Sequence, residues 1–313
     1  MILNDFIVQN ATGLFCSYGN FYLDPQSPVV NAVISHAHGD HACSGNQNVY
    51  CTRATSLFML HRYKKFAAGS FFLKEYHESF TLNEVKITFI SAGHIVGSAQ
   101  VLMEYQGVRY LYTGDYKLQA DPTCEPIEFV QAAVLITETT FADPNTQHPK
   151  AEDEIKNLES TTVNIMLGAY ALGKSQRIIR LINDHCVGKR VLVHHSIMPF
   201  VKIYEQLGID VGQYEMYDRK VMKNTPGGLI YLVPPMVFKS YIKAINVVRV
   251  FASGWKHLQG NKELQLCISD HVDWNDIIET IRQVQPKEVW TTHGDGKQLK
   301  AFFSDSLNIK SLN

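Results

Sequence analysis

Residues 33–45 read VISHAHGDHACSG and set His36, His38, Asp40 and His41 within six positions. Histidine supplies 13 of the 313 residues, so three in six positions is a local demand and not background. The preceding stretch, Val29-Val30-Asn31-Ala32-Val33-Ile34, is short and rich in β-branched residues. It reads as a buried strand over 29–35. Side chains alternate along an extended chain, so His36 and His38 point the same way, and Gly39 turns Asp40 and His41 back toward the same space. Four donors gathered at the end of one buried strand suit a divalent ion. Imidazole and carboxylate favour zinc, with manganese or iron as alternatives.

One turn cannot fill two metal ions, so further donors are expected at other strand ends. FISAGHIVGSAQ puts His94 after an apolar run at 85–90, YLYTGDYK puts Asp115 after a run at 108–112, and VWTTHGDG puts His293 after a run at 288–292. Each repeats one design: apolar strand, small residue, ligand. His36, His38 and His94 can then hold one ion, Asp40, His41 and His293 a second, and Asp115 can bridge them. Two ions about 3.5–4 Å apart would hold a hydroxide between them and polarise a phosphoryl oxygen. Asp24, in FYLDP, is placed to orient a ligating imidazole; the competing reading is a turn aspartate before Pro25.

A chain of 313 residues exceeds the usual single core, so two domains are expected. Hydrophobic content of 45% with 19% charged residues describes an ordinary globular protein. No apolar run reaches membrane-spanning length, and the N-terminus lacks the pattern of a signal peptide. Six scattered cysteines without C-x-x-C point to reduced thiols and a cytoplasmic location, with no membrane partner. Short strands dominate the first half, with one helix at 53–64. Helices at 152–160, 174–183 and 199–206 then alternate with strands at 163–167, 190–194 and 229–232. The tail reads strand 264–268, helix 274–283, strand 288–292, helix 296–302. Between 163 and 262 there are 14 basic residues against 5 acidic ones, leaving 15 against 25 for the remainder. A basic module inside a near-neutral chain points to a polyanionic partner.

The set His-x-His-x-Asp-His, His94, Asp115 and His293 resembles the metallo-β-lactamase fold over the whole chain. AYALGKSQRIIRLI resembles the helix start of β-CASP nucleases, and Glu138, His271 and His293 match that subfamily's motifs A, B and C. GDYKLQADPTCEP, TETTFADP, SGW and SDHVDW are similar to bacterial ligase-associated DNA exonucleases, also labelled messenger RNA 3′-end processing factors. The resemblance implies an α/β fold, a four-layer αβ/βα sandwich with an inserted small α/β lobe. Its expected division is 1–144 and 263–313 for the sandwich and 145–262 for the insert, which is short for a β-CASP domain. It also implies a nucleic-acid substrate, DNA before RNA, and association with a DNA ligase or helicase.

Phosphodiester cleavage needs a nucleophile, charge neutralisation and a proton for the leaving oxygen. Asp40 and Asp115 serve the first two through the metals. His271 is the expected general acid, worth about 10² to 10⁴ in rate, with Glu138 tuning it and fixing its tautomer. Asp270 is expected to cap the following helix or share the acid role. Lys117, Ser98, Lys174 and Arg177 are the expected substrate-binding residues, the last two at a helix start that suits phosphate. His194 and His195 are weaker candidates for the same cleft. The rival readings are a thioester or lactone hydrolase on the same fold and an inactive nucleic-acid scaffold. Nothing in the sequence recognises or excludes a 2′-hydroxyl.

Overall fold

Alternation of side chains along the strands builds the first of two compact units. The computed structural model describes residues 1–240, 247–255 and 264–312. Lys243, Lys256 and Lys262 of the basic count, and the expected boundary at 262–263, lie outside the described residues. One unit comprises Met1–Ala120, Cys124–Gln147 and His271–Asn313, the other Asp121–Thr123 and His148–Asp270. Apart from Asp121–Thr123, the units meet in sequence at 147–148 and 270–271.

The first unit holds two sheets. One runs, in spatial order, Ile7–Asn10 (β1), Gly13–Cys16 (β2), Phe21–Leu23 (β3), Asn31–Val33 (β4), Asn46–Cys51 (β5) and Ala68–Leu73 (β6). The other comprises Ser79–Leu82 (β7), Val85–Ser91 (β8), Ala99–Tyr105 (β9), Val108–Tyr112 (β10), Val134–Glu138 (β11), Glu288–Thr292 (β17) and Asn308–Ser311 (β18), in the order β18-β17-β11-β10-β9-β8-β7. In the second sheet, Val101, Met103, Tyr110, Tyr112, Val134, Ile136 and Trp290 share a core with Ile7, Leu14, Phe21, Leu23 and Val33 of the first sheet. The intervening residues Leu102, Leu111, Leu135 and Val289 face the other way, onto Trp274, Ile277, Ile278 and Ile281 of the helix Trp274–Val284 and Leu299 of the helix Lys297–Phe303. Met59 of the helix Arg53–Tyr63 shares a core with Ala32, Val49 and Cys51 of the first sheet. The period of two therefore divides each strand between a sheet–sheet core and a sheet–helix core, and the layers run helix, sheet, sheet, helix.

The second unit carries a five-stranded parallel sheet of Asn164–Gly168 (β12), Arg190–Val193 (β13), Glu215–Met216 (β14), Leu229–Val233 (β15) and Val247–Phe251 (β16), ordered β14-β13-β15-β12-β16. Its crossover helices include Lys174–His185 and Met198–Gln206. The expected strand at 264–268 reduces to a single bridge between Leu266 and Ala252. Side chains take the backbone groups a ladder would have used: Glu154 accepts from Cys267 N and Lys174 donates to Ile268 O. The helix expected over 152–160 is the shorter Ala151–Lys156. The strand expected over 29–35 narrows to β4, because Ser35 N turns to donate to the Asp24 carboxylate.

Candidate metal centre

Strands β8, β10, β11 and β17 run in one direction within their sheet, and each delivers a polar residue at its C-terminal end. His94 follows β8, Asp115 follows β10, Glu138 ends β11 and His293 follows β17. β4 of the other sheet delivers His36, His38 and His41. His41 N and Ala42 N both donate to His38 O, so a tight turn brings the last imidazole back beside the first. Gly114 permits the approach of Asp115: its φ is +56°, and a Cβ there would lie 2.7 Å from Ser35 Oγ. His293 itself adopts φ +56°, a conformation unusual outside glycine.

Among the described residues donor atoms converge in four overlapping groups, two of which are Asp24, His36 and His41, and Asp115, Glu138 and His271. His36 Nε2 and His94 Nε2 stand 3.1 and 3.0 Å from His38 Nδ1. Asp115 Oδ2 stands 3.5 Å from His36 Nε2, 3.9 Å from His94 Nε2 and 3.3 Å from His41 Nε2. His36, His38, His94 and Asp115 form one group able to hold a metal ion, and His41, Asp115 and His293 form another. Ligands bound tetrahedrally at about 2.0–2.2 Å lie about 3.3–3.6 Å apart, so these spacings fit a coordination shell. One oxygen, Asp115 Oδ2, touches both groups, as a bridging ligand must.

The surrounding hydrogen bonds orient the imidazoles. Asp24 Oδ2 accepts from His41 Nδ1 (2.8 Å), Tyr112 OH (2.9 Å) and Ser35 Oγ (2.5 Å), while Oδ1 accepts from Ser35 N. The His41 tautomer is thereby set with Nε2 toward Asp115. Ser35 Oγ also lies 3.0 Å from His36 Nδ1, which leaves His36 Nε2 for the centre. Burial holds His36 well below the usual imidazole range, with nearby His41 adding to the effect. At His41 burial also pushes down, but the Asp115 and Asp24 carboxylates outweigh it and hold the group well above its usual value. For Asp115, burial opposes the charge, yet His41 and then His271 hold it well below the carboxylate range. The two shifts are mutual, each group favouring the charged form of the other.

His271 stands at the edge of this centre. Its Nδ1 lies 2.9 and 3.1 Å from the Glu138 carboxylate oxygens and 3.9 Å from Asp115 Oδ2. Glu138 is buried and accepts from Tyr116 N and Thr140 Oγ1. A cavity of about 200 Å³, lined in part by Asp24, Gln26, Asp40, His41 and His293, opens beside His41.

Several expected roles are corrected. The Asp40 side chain is 74% exposed and 3.9 Å from His41 Nε2, outside both donor groups. Ser98 is buried, and its Oγ accepts from His94 N and Ile95 N, so it shapes the His94 loop instead of meeting substrate. Lys117 is buried and donates to His94 O. Lys174 and Arg177 are 5% and 1% exposed, Lys174 donating to Ile268 O and Arg177 to Ser269 O of their own unit. Asp270 pairs with them, and the cap of the following helix is Asp273. The His194 and His195 rings lie 4.0 Å apart, tilted by 39°, just after β13, with His194 Nδ1 2.7 Å from Ser196 Oγ. Ser35, Tyr112 and Thr140 went unanticipated. Ser35 adjoins the motif, but the contacts of Tyr112 and Thr140 depend on the fold and leave no local sequence signal.

No family model matches the chain. It is 28% identical over 97% of its length to a probable DNA ligase of Opitutus terrae, covering 30% of that protein. It is 29% identical to an RNase J-like protein of Methanocaldococcus jannaschii, over 49% of this chain and 43% of that one. The endoribonuclease YSH1 of Eremothecium gossypii matches 36% of the chain at 33% identity, over 15% of its own length. The chain thus spans less than half the length of each of these relatives. A solved structure, a protein of unknown function from Enterococcus faecalis V583, superposes with a TM-score of 0.61 at 14% identity, over 89% of this chain and 78% of that one. Layers and superposition together give the chain an α/β sandwich fold. In sequence the chain is thus similar to part of a ligase-named protein and to parts of two ribonuclease-named proteins, a set consistent with a metallo-β-lactamase/β-CASP nuclease family.

Proposed function

We propose that the chain hydrolyses phosphodiester bonds of nucleic acid, as a DNA exonuclease of the ligase-associated type acting in repair. The observation that carries this is the His271–Glu138 pair set against the histidine–aspartate centre. A hydrolase for thioesters or lactones needs no proton donor for a sugar oxygen. His36, His38, His94 and Asp115 would hold one divalent ion, and His41, Asp115 and His293 a second. Asp40, with its carboxylate 3.9 Å from His41 Nε2, is the next donor within reach. The nitrogen-rich donor set favours zinc, with manganese the alternative. When bound, such a pair supplies a water of lowered pKa and a polarised phosphoryl oxygen.

The chain's own residues do the rest. Asp24 and Ser35 fix the imidazoles, and Asp115 carries the shared negative charge. Glu138 occupies His271 Nδ1 and so assigns proton delivery to Nε2. A nucleotide leaves as an alkoxide and needs that proton, whereas an activated aryl ester leaves as a stable phenolate. His271→Ala is therefore expected to slow oligonucleotide cleavage about 10²-fold or more while sparing an aryl phosphodiester, at constant metal content. Equal loss on both substrates with shed metal would make His271 a ligand or a structural residue. End-labelled single- and double-stranded DNA and RNA, digested with defined metals beside a thioester panel, test the substrate class.

RNA processing is the second reading, favoured by relatives named as an endoribonuclease and as RNase J-like. The probable DNA ligase, of which this chain matches 30%, supports DNA and a working association with a ligase. No helix of the described residues is long and apolar enough to cross a membrane, and a cytoplasmic site of action is part of the proposal.

A further inference from the structure

The five strands of the second unit's sheet are all parallel, so their C-terminal ends form one edge. That is the edge at which an open α/β sheet offers its loops to a ligand. Five large apolar side chains of this unit are exposed among the described residues: Tyr170, Val187, Met216, Met236 and Trp255. Four of them stand at this edge. Tyr170 follows β12, Met216 ends β14, Met236 follows β15 and Trp255 follows β16, whereas Val187 leads into β13 from the opposite edge. Exposed His195 follows β13. Apolar residues scattered singly over a surface need no explanation, but these are sorted to one edge. The two large aromatic ones, Tyr170 at 54% and Trp255 at 43% exposure, leave neighbouring strands.

We infer that this edge is a stacking platform for the unpaired bases of a single strand of nucleic acid, with Tyr170 and Trp255 as its rings. The inference rests on the reading of the chain as a nucleic-acid enzyme and adds a binding site within the second unit alone. Adjacent strands are about 4.8 Å apart, so the two rings leave the sheet side by side, and His195 leaves it two strands beyond Tyr170. The backbone under each ring is tied down. Tyr170 O accepts from Ser175 N and Ser175 Oγ, and Ser253 Oγ accepts from Trp255 N. Every base has a π-face, so such a platform binds without reading sequence. Charge selects the occupant. In the segments 169–173, 194–197, 217–220, 234–240 and 252–255, which leave the five strands, Arg219, Lys220 and Lys239 are exposed. The one acid in them, Asp218, accepts from Lys220 N and Val221 N as a helix cap. A polyanion with flat, unstacked rings matches both features. An apolar protein surface would use the rings and leave the cations unmatched, and a duplex keeps its bases stacked on one another.

The test follows Trp255 emission in the metal-loaded full chain as a phosphorothioate-linked single strand, slow to hydrolyse, is added. The other two tryptophans, Trp274 and Trp290, are buried, so quenching reports Trp255. A saturable quench is expected with the single strand, and a much smaller one with a duplex or with a strand of abasic sites. By anisotropy of a labelled strand, Tyr170→Ala and Trp255→Ala should each weaken binding about 5- to 100-fold, while Tyr170→Phe and Trp255→Phe, which keep a ring, stay within about threefold. The salt slope should not change in any of the four, because stacking releases no counterions. Unchanged binding by the alanine variants, emission unmoved by a bound strand, or an equal quench by duplex would each overturn the inference. So would self-association that the alanine variants abolish, since a second copy would then cover the edge. Cleavage by wild type with unmoved emission overturns the platform and leaves the nuclease reading standing. A quench by a wild type that cleaves no nucleic acid upholds the platform and overturns the nuclease reading instead.

Discussion

Replacing Asp24 with Asn isolates one carboxylate's contribution to the centre. Asp24 sits at φ +42°, in the left-handed region that asparagine tolerates as readily as aspartate, so the backbone is not put under new strain. What changes is the acceptor. Asp24 Oδ2 receives Ser35 Oγ, Tyr112 OH and His41 Nδ1, and an amide nitrogen there would face three donors. Removing an outer partner of a ligating histidine typically costs 10- to 100-fold in metal affinity, about 1.4–2.8 kcal/mol. The loss should fall on the group built by His41, Asp115 and His293, since Asp24 contacts His41 directly and His36 only through Ser35. Tyr112→Phe, which removes one neutral donor, should cost about 0.5–1.5 kcal/mol. Competition with a chromophoric chelator, fitted to two sites, resolves the difference. Asp24→Asn with both affinities within twofold of wild type would refute the argument and reduce Asp24 to a turn residue.

Asp115→Ala should lower the metal content, measured by plasma mass spectrometry, from two ions per chain to less than one, because both donor groups share Asp115; retention of two ions would remove its bridging role. Burial and the neighbouring Asp273 push the Asp276 carboxyl from its usual 3.8 up to about 6. A carboxyl raised in the folded state stabilises while protonated, so its contribution is full below about pH 4 and is lost as pH rises toward 6, by about 1–2 kcal/mol after allowance for partial exposure. Denaturant midpoints of wild type and Asp276→Asn should therefore diverge across that window, and parallel curves would remove the assignment. Arg219, Lys220 and Lys223 are exposed on the short helix Arg219–Asn224. Changing all three to Gln should flatten the salt dependence of single-strand binding by up to about 2 in log–log slope, and an unchanged slope would put the binding surface elsewhere.

The clustering of candidate metal donors was legible because its signal is local. His36, His38 and His41 lie within one turn, and His94, Asp115 and His293 each end an apolar run. A strand end is the one place where a short sequence pattern also fixes a direction in space. Asp24 was legible for a related reason, as a polar residue closing a strand. β6 escaped notice because AGSFFL shows no clean alternation; it is an edge strand with Phe72 and Leu73 exposed. The expected strand at 264–268 has the right composition, but what its backbone pairs with is decided by Glu154, Lys174 and Arg177, about ninety or more residues away in sequence. Asp40 was read into the ligand set from its spacing, and with its exposed carboxylate 3.9 Å from His41 Nε2 its place there is part of the proposal.

The basic insert shows that a charge count does not say which cations face a partner. The excess of 14 cations over 5 anions between 163 and 262 is a property of the sequence, but counter-ion release depends on cations that can reach a phosphate. Lys174 and Arg177 are buried. Arg180 pairs with Asp184 and Asp210, Arg190 with Glu215, and Lys202 with Glu205. The acids of this segment are thus already matched, Asp218 apart, which caps the helix Arg219–Asn224. Charge available to a polyanion must come from the remaining cations, and among the described residues three of them stand together at Arg219, Lys220 and Lys223. The two cations at the start of the helix Lys174–His185 are spent inside their own unit, where Lys174 donates to Ile268 O, Arg177 donates to Ser269 O and both pair with Asp270, so a cation count overstates what a phosphate can reach.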